Sequence, residues 1–387
     1  MNQSIKSLLP ILALTIFCSN LGNGIIAPIL PTYAQNFGAN GFWLGFIFAG
    51  SSITGAILMP FTGRFSDKHG RKLILAAGLL GLAITSFAYI WAHSIASLLA
   101  VRFIQGAASA MVSPISQAYI GDITPPGQEG KWMGLFNATF IVGFGSGPLL
   151  GGVVSQFWGM NTAFYIMGGL NIVSMLSVLI FLPEIVERRK SAGQFSLKGI
   201  TASGVTRGIF SYQLGANANR GIMTTFIPVF AVSAAVGLKS SLVGTLLTIG
   251  IVVNSLLQIP TGSLSDKFSR RKMIFIGSAG ISLSMALTPL ANGFWLLLAF
   301  LLLGGIADAI STPPAMAAIV QEGRKYGMGI STSVANMGAG IGMGIAPIVA
   351  GFVVDIFGVK SAFIVAAAVV VVCSSIFGLL TRKTAAL

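Results

Sequence analysis

Three ionised side chains stand where an apolar chain rarely holds them: Asp308, Arg220 and Arg102, each inside a long hydrophobic stretch. A carboxylate in such a setting can take up and release a proton, and a guanidinium can hold it ionised or grip an anion. Asp308 is the one carboxylate within any of these stretches, which makes it the candidate proton carrier, with Arg220 as its candidate partner. Burial favours the neutral acid and a nearby arginine favours the carboxylate, so the two effects oppose each other and leave room for titration. Arg102 is a second cationic element, placed to bias proton release or to grip a solute. No Ser/His pair, carboxylate pair or metal-ligand cluster falls within the apolar stretches, so the chain is not expected to be an enzyme, and no metal or cofactor is expected.

The polar neighbours of these charges recur at helical spacing. At about 100° per residue, Gln213, Asn217, Arg220 and Thr224 share one narrow stripe. Arg102, Gln105, Ser109, Ser113 and Ser116 share another, with Gln117 at its edge. Asp308, Ser311 and Thr312 share a face, as do Asn20 and Asn23. A polar stripe on a membrane helix must face protein or water, because lipid satisfies no polar group. Asn254 and Gln258, four residues apart, are a weaker signal that helix–helix hydrogen bonding also explains.

The elements that position these residues follow from composition. Apolar residues make up 54% of the 387 and charged residues only 8%, against roughly 25% charged in a soluble domain. A bilayer core of about 30 Å takes about 20 residues of helix. Twelve such stretches are read, approximately at 8–33, 42–61, 73–92, 95–120, 132–157, 163–182, 200–232, 242–261, 273–291, 294–320, 328–354 and 362–380. The formal charge of +14 would suggest nucleic acid on a soluble protein, but 19 of the 23 basic residues fall in alternate loops on one side. That asymmetry is the positive-inside pattern, so both termini are expected in the cytoplasm and no nucleic-acid role is needed. The first stretch is expected as an uncleaved helix, since no small-residue cleavage site follows it. Cys18 and Cys373 offer no disulfide framework, and His69 and His93 fall on opposite sides of the membrane.

One internal repeat runs at an offset of 199 residues: Gly63, Ser66, Asp67, Lys68 and Arg71 recur as Gly262, Ser265, Asp266, Lys267 and Arg270. Pro114 recurs as Pro313, and Gly143, Gly145, Pro148, Gly152 and Gly159 recur as Gly342, Gly344, Pro347, Gly351 and Gly358. Two six-helix halves in the same orientation are therefore expected, 1–183 and 200–387, joined by a charged cytoplasmic linker at 184–199. Gly143, Gly147 and Gly151 line one helix face and allow close helix contact, while Pro148 removes a backbone donor.

The run from Gly63 to Lys72 resembles the loop motif of the major facilitator superfamily, and the parallel halves fit that all-α, twelve-helix fold. Three further matches resemble its drug:proton antiporter branch. They are Leu21-Gly22 with Pro28-Ile29-Leu30-Pro31; Arg102, Gln105 and Gly106; and the helix motif associated with antiport at Gly143, Gly147, Pro148, Gly151 and Gly152. The resemblance implies a central cavity lined by helices one, four, seven and ten, which are the helices carrying the polar stripes. The candidate substrate contacts, taken from those stripes, are Asn20, Asn23, Gln105, Ser109, Ser113, Gln213, Asn217, Arg220, Asp308 and Thr312. It also implies a conformational latch at Gly63, Asp67, Arg71 and Asp122, with copies at Asp266 and Arg270; the second copy has Ser269 in place of Gly70.

The expected function is a proton-coupled secondary transporter of the inner membrane, working by alternating access and exporting small amphiphilic molecules. It draws on a proton gradient rather than a cofactor, and its partners are a small solute, protons and lipid, with the chain a monomer. Unlike many multidrug members, this chain has Asn20 and Asn23 where an acid would stand in the first half. The intramembrane charge is positive, which suits an anionic, zwitterionic or neutral solute better than a permanent cation. A carrier of an anionic or zwitterionic metabolite, sugar or lysolipid is the alternative; a non-transporting sensor is a third.

Overall fold

The computed structural model describes residues 2–123, 129–184, 203–233, 236–265, 267–326 and 328–382, and among them the structure is helical nearly throughout. Thirteen α-helices follow in order: α1 Asn2–Gln35, α2 Gly41–His69, α3 Arg71–Ala88, α4 Ile95–Ala110, α5 Ser113–Ile123, α6 Glu129–Trp158 and α7 Met160–Phe181, then α8 Gly204–Val232, α9 Ser240–Ser265, α10 Arg270–Leu287, α11 Phe294–Tyr326, α12 Met328–Phe357 and α13 Lys360–Thr381. Helices satisfy their own backbone groups, which a bilayer requires. Large side chains such as Ile180, Phe352 and Leu379 lie exposed, as a lipid-facing surface demands.

Eleven spans among the described residues are long and apolar enough to cross a membrane, against the twelve expected. The missing one is α8. At 29 residues it has the length, but Gln213, Asn217, Asn219 and Arg220 lower its hydrophobicity. The polar stripe read on α8 from the sequence is the same feature that removes it from the apolar count.

The fourth expected span is not one helix, because α4 and α5 are separated by a turn at Met111 and Val112. Pro114 has no N–H to give to Ala110 O, one turn back. The Thr62 hydroxyl of α2 supplies the missing donor at 2.8 Å. The repeat preserves the arrangement: Pro313 leaves Ala309 O without its helical donor, and the Thr261 hydroxyl of α9 takes it at 2.6 Å. There the helix stays continuous. Replacing Thr261 by Val is expected to leave that carbonyl unsatisfied and to destabilise the protein by about 1–3 kcal/mol. Thermal unfolding in detergent would read this, with Thr261→Ser close to wild type.

The chain divides into two compact units. One comprises Met1–Gly38, Gly50–Ser191 and Lys239–Thr248; the other comprises Ala39–Ala49, Ala192–Leu238 and Ile249–Leu387. In the first, the glycine face of α6 meets α1 backbone to backbone: a Cβ at Gly143, Gly147 or Gly151 would strike Phe17, Gly24 or Ile25. In the second, Gly338 and Gly342 of α12 do the same against Phe210 and Leu214 of α8. Both contacts were legible as glycine spacing.

The second unit also holds the head of α2. Gly41 and Gly45 lie against Gly351 and Pro347 of α12, and Asp355 accepts from the amides of Gly41 and Phe42 at 2.5 and 3.0 Å. A carboxylate at a helix N-terminus meets unpaired N–H groups and the positive end of the dipole. The first unit holds the head of α9 in the matching way, with Gly244 against Pro148. Gln156, 199 residues before Asp355, accepts from the Ser241 amide and hydroxyl at 3.2 and 2.6 Å.

Candidate functional site

Asp308 and Arg220 meet inside the second unit. Nη2 of Arg220 donates to both carboxylate oxygens, at 3.1 Å to Oδ1 and 2.9 Å to Oδ2, and reaches Thr312 Oγ1 at 3.3 Å. The Thr312 hydroxyl donates to Asp308 Oδ1 at 3.2 Å. On the other side, Asn254 Nδ2 of α9 donates to Asp308 Oδ2 at 3.1 Å and to Gly305 O at 2.9 Å. Asn254 Oδ1 accepts in turn from Gln258 Nε2 at 2.8 Å. The stripe spacing of α8 and α11 brings Arg220, Asp308 and Thr312 to one point, as read from the sequence. Asn254 and Gln258, the weaker signal, belong to the same cluster.

The Arg220 side chain is 40% exposed and that of Asp308 16%. The pair is only partly buried, so screening tempers the attraction. Among the described residues only Nη2 of Arg220 is engaged, which leaves the Nη1 and Nε donors without a protein partner there. Just below, the Tyr212 hydroxyl donates to Ser311 Oγ at 2.9 Å. Tyr212, a buried ring of α8, thus also makes a polar contact.

Arg102 stands differently. Its residue is only 7% exposed, and Nη1 donates to Gln105 Oε1 at 2.8 Å. The same oxygen accepts from the Tyr89 hydroxyl at 2.7 Å, and Tyr33 caps the end of that turn through Tyr89 O at 2.8 Å. Tyr89 and Tyr33 were outside the polar stripes, and no periodicity would have found them. Gln105 is therefore held within the first unit by Arg102 and Tyr89.

The other expected contacts are partly buried in their own units. Asn20 turns back onto Ile16 O at 2.7 Å and Asn217 onto Gln213 O at 2.9 Å. Gln213 is buried, while Asn23, Ser109 and Ser113 are half-buried. Ser116 is buried with its hydroxyl unpartnered among the described residues. The side chains of the latch residues Asp67, Asp122 and Asp266 lie outside the described residues. Gly63 is open on its Cβ side. Arg270 donates to Gln321 Oε1 at 2.8 Å, and Gln321 is the repeat counterpart of Asp122, an amide where the first half has an acid.

One further buried carboxylate escaped the sequence reading. Glu322, near the end of α11, is 3% exposed. It accepts from the hydroxyls of Ser203 and Thr206 at the start of α8, the latter at 3.1 Å. Its place beyond the apolar stretch made it look like a loop residue. No cluster of three metal-ligating side chains occurs among the described residues.

The sequence pattern of the Major Facilitator Superfamily matches residues 12–233 and 209–386. An uncharacterised MFS-type transporter of Methanocaldococcus jannaschii is 27% identical over 358 residues, covering 90% of this chain and 92% of that one. The quinolone resistance protein NorA of Staphylococcus aureus is 32% identical over 174 residues, so the match spans 45% of either chain, less than half. Among solved structures, a bacterial homologue of the human lysosomal transporter Spinster, inward-facing and unoccupied, aligns over 99% of this chain and 98% of its own at a TM-score of 0.86 and 14% identity, a likeness of fold. A matching family pattern across nearly the whole chain, a helical fold with an internal repeat and a charged pair inside the spans converge on one statement: this multi-pass membrane protein belongs to the Major Facilitator Superfamily, a family of transporters and not of enzymes.

Proposed function

We propose that the chain is a proton-coupled antiporter that exports small amphiphilic molecules, with Asp308 as the proton carrier and Arg220 as its switchable partner. The observation that carries this reading is the Arg220–Asp308 pair, a partly exposed carboxylate reached by a guanidinium from another helix. Protonation of Asp308 removes its charge and releases Arg220, which shifts the balance between inward- and outward-open forms. The 32% identity with NorA over part of the chain supports efflux of drug-like solutes. Nineteen basic residues in alternate loops support an inner-membrane orientation with both termini in the cytoplasm.

A second reading, a carrier of anionic or zwitterionic solutes, is favoured by the open Nη1 and Nε edge of Arg220, a planar fork suited to carboxylate or phosphate. Counterflow in proteoliposomes separates the two. A labelled quinolone and a panel of organic acids, sugars and lysolipids are offered under a pH gradient of either sign. Efflux antiport predicts that the quinolone moves against protons and reverses with the gradient. Movement confined to organic acids, insensitive to the sign of the gradient, sinks it in favour of the second reading.

A further inference from the structure

Asn254 stands against Asp308 in a way that selects between its two oxygens. Both hydrogens of its Nδ2 are used, one on Gly305 O at 2.9 Å and one on Asp308 Oδ2 at 3.1 Å. Its Oδ1 accepts from Gln258 Nε2 at 2.8 Å. Rotating the amide by half a turn would set Oδ1 against two acceptors, the Gly305 carbonyl and the carboxylate, and Nδ2 against a donor. The Gly305 carbonyl, an obligate acceptor, therefore holds Asn254 with its donor toward Asp308, and Gln258 supplies the partner of its Oδ1. The other oxygen, Oδ1, has Thr312 beside it at 3.2 Å. A hydroxyl can donate to a carboxylate and turn to accept from an acid; an amide held from both sides cannot.

We infer that Asn254 is a positioning residue for the proton step: it keeps Oδ2 of Asp308 a pure acceptor and leaves Oδ1, beside Thr312, as the oxygen that takes the proton. The step is a simple association. A proton from solvent forms the Oδ1–H bond, the carboxylate charge is cancelled, and Thr312 turns from donor to acceptor. On release the proton returns to water and Thr312 donates again. This rests on the proposal that Asp308 carries the proton. Among the described residues the charged or titratable groups facing Asp308 are Arg220 and Tyr212, both on α8. The α9 helix contributes the amides of Asn254 and Gln258, and the charges of α10, Arg270, Arg271 and Lys272, lie in its first turn.

The test needs no solute, because the proton is the probe. Difference infrared spectra of the purified full-length protein, recorded across pH, are expected to show a carboxylic-acid C=O band that vanishes in Asp308→Asn. In Asn254→Ala the carboxylate loses a fixed donor, so the midpoint of that band is expected to move to higher pH by about one unit, the size of one charge-assisted hydrogen bond. Gln258→Leu removes the donor to Asn254 Oδ1 while Gly305 O keeps the amide oriented, so Asn254 becomes a less polarised donor and the midpoint should move the same way by less. Thr312→Val removes a group that serves both protonation states and should move it least. Thermal unfolding of each variant separates a shifted titration from a damaged fold, and the Gln258 variant carries the test if Asn254→Ala does not fold. A band that titrates but keeps its midpoint in both the Asn254 and Gln258 variants overturns the assignment and leaves the proton carrier standing. Absence of any Asp308-dependent band at every pH overturns both.

Discussion

Asp308→Asn is expected to keep solute exchange and lose gradient-driven accumulation. Asparagine has the size of aspartate and its Oδ1 still accepts from Arg220, so the packing around position 308 is kept. What it lacks is a site that gains and loses a proton. Each pH unit is worth about 1.4 kcal/mol per proton, so a wild-type carrier moving one proton per solute sustains about tenfold accumulation across a one-unit gradient. The variant should fall to an equal distribution, while counterflow of labelled against unlabelled solute continues at a rate within a few-fold of wild type. Accumulation that survives in the variant would remove Asp308 from the coupling step.

Arg220→Ala is expected to damage both stability and pH response. It leaves the Asp308 carboxylate with Asn254 and Thr312 as its donors. Breaking a fully buried pair costs about 3–5 kcal/mol. Here the arginine side chain is 40% exposed, so screening reduces the expected loss to about 1–3 kcal/mol. Without the guanidinium the neutral acid gains ground, so the limb of the transport–pH profile that reports Asp308 should move to higher pH. Arg220→Lys keeps the charge but not the planar donor, and should recover stability more than pH response. Thermal unfolding and transport measured over a pH series read both effects. An unshifted profile in Arg220→Ala would mean that the pair is structural only.

Most of the fold was legible because a membrane helix declares itself through composition, and a duplicated chain repeats its constraints. The 199-residue offset pointed to the glycine faces of α6 and α12 and to the shared proline of α5 and α11. It gave no sign that α4 would break at Met111 and Val112 while α11 runs on through Pro313 and Pro314. The carbonyls freed by those prolines are satisfied from α2 and α9, a contact between helices that no local pattern reports.

The site was legible as far as charge and period reach. Arg220, Asp308 and Thr312 sit on their stripes and meet. Asn254 and Gln258 share their spacing with any pair of helix–helix polar contacts; only the position of Gly305 O and Asp308 Oδ2 shows what they hold. Asp355 falls one residue past the apolar stretch at 328–354, where spacing assigns it nothing. Its role at the head of α2 depends on a partner more than 300 residues away in sequence. Arg102 had the same intramembrane signature as Arg220, yet it lies buried on Gln105 while the Arg220 side chain is partly exposed. Burial within a bundle is a tertiary property that period alone does not distinguish.

The most direct test of proton coupling uses the wild-type protein in proteoliposomes that enclose a pH indicator, with no pH gradient imposed. An outward gradient of quinolone is applied and interior pH is followed as the solute leaves. The proposed antiport predicts that the interior acidifies as solute exits, that Asp308→Asn abolishes the change, and that a protonophore dissipates it. Solute that runs down its gradient through the wild-type protein without moving the interior pH would contradict the account.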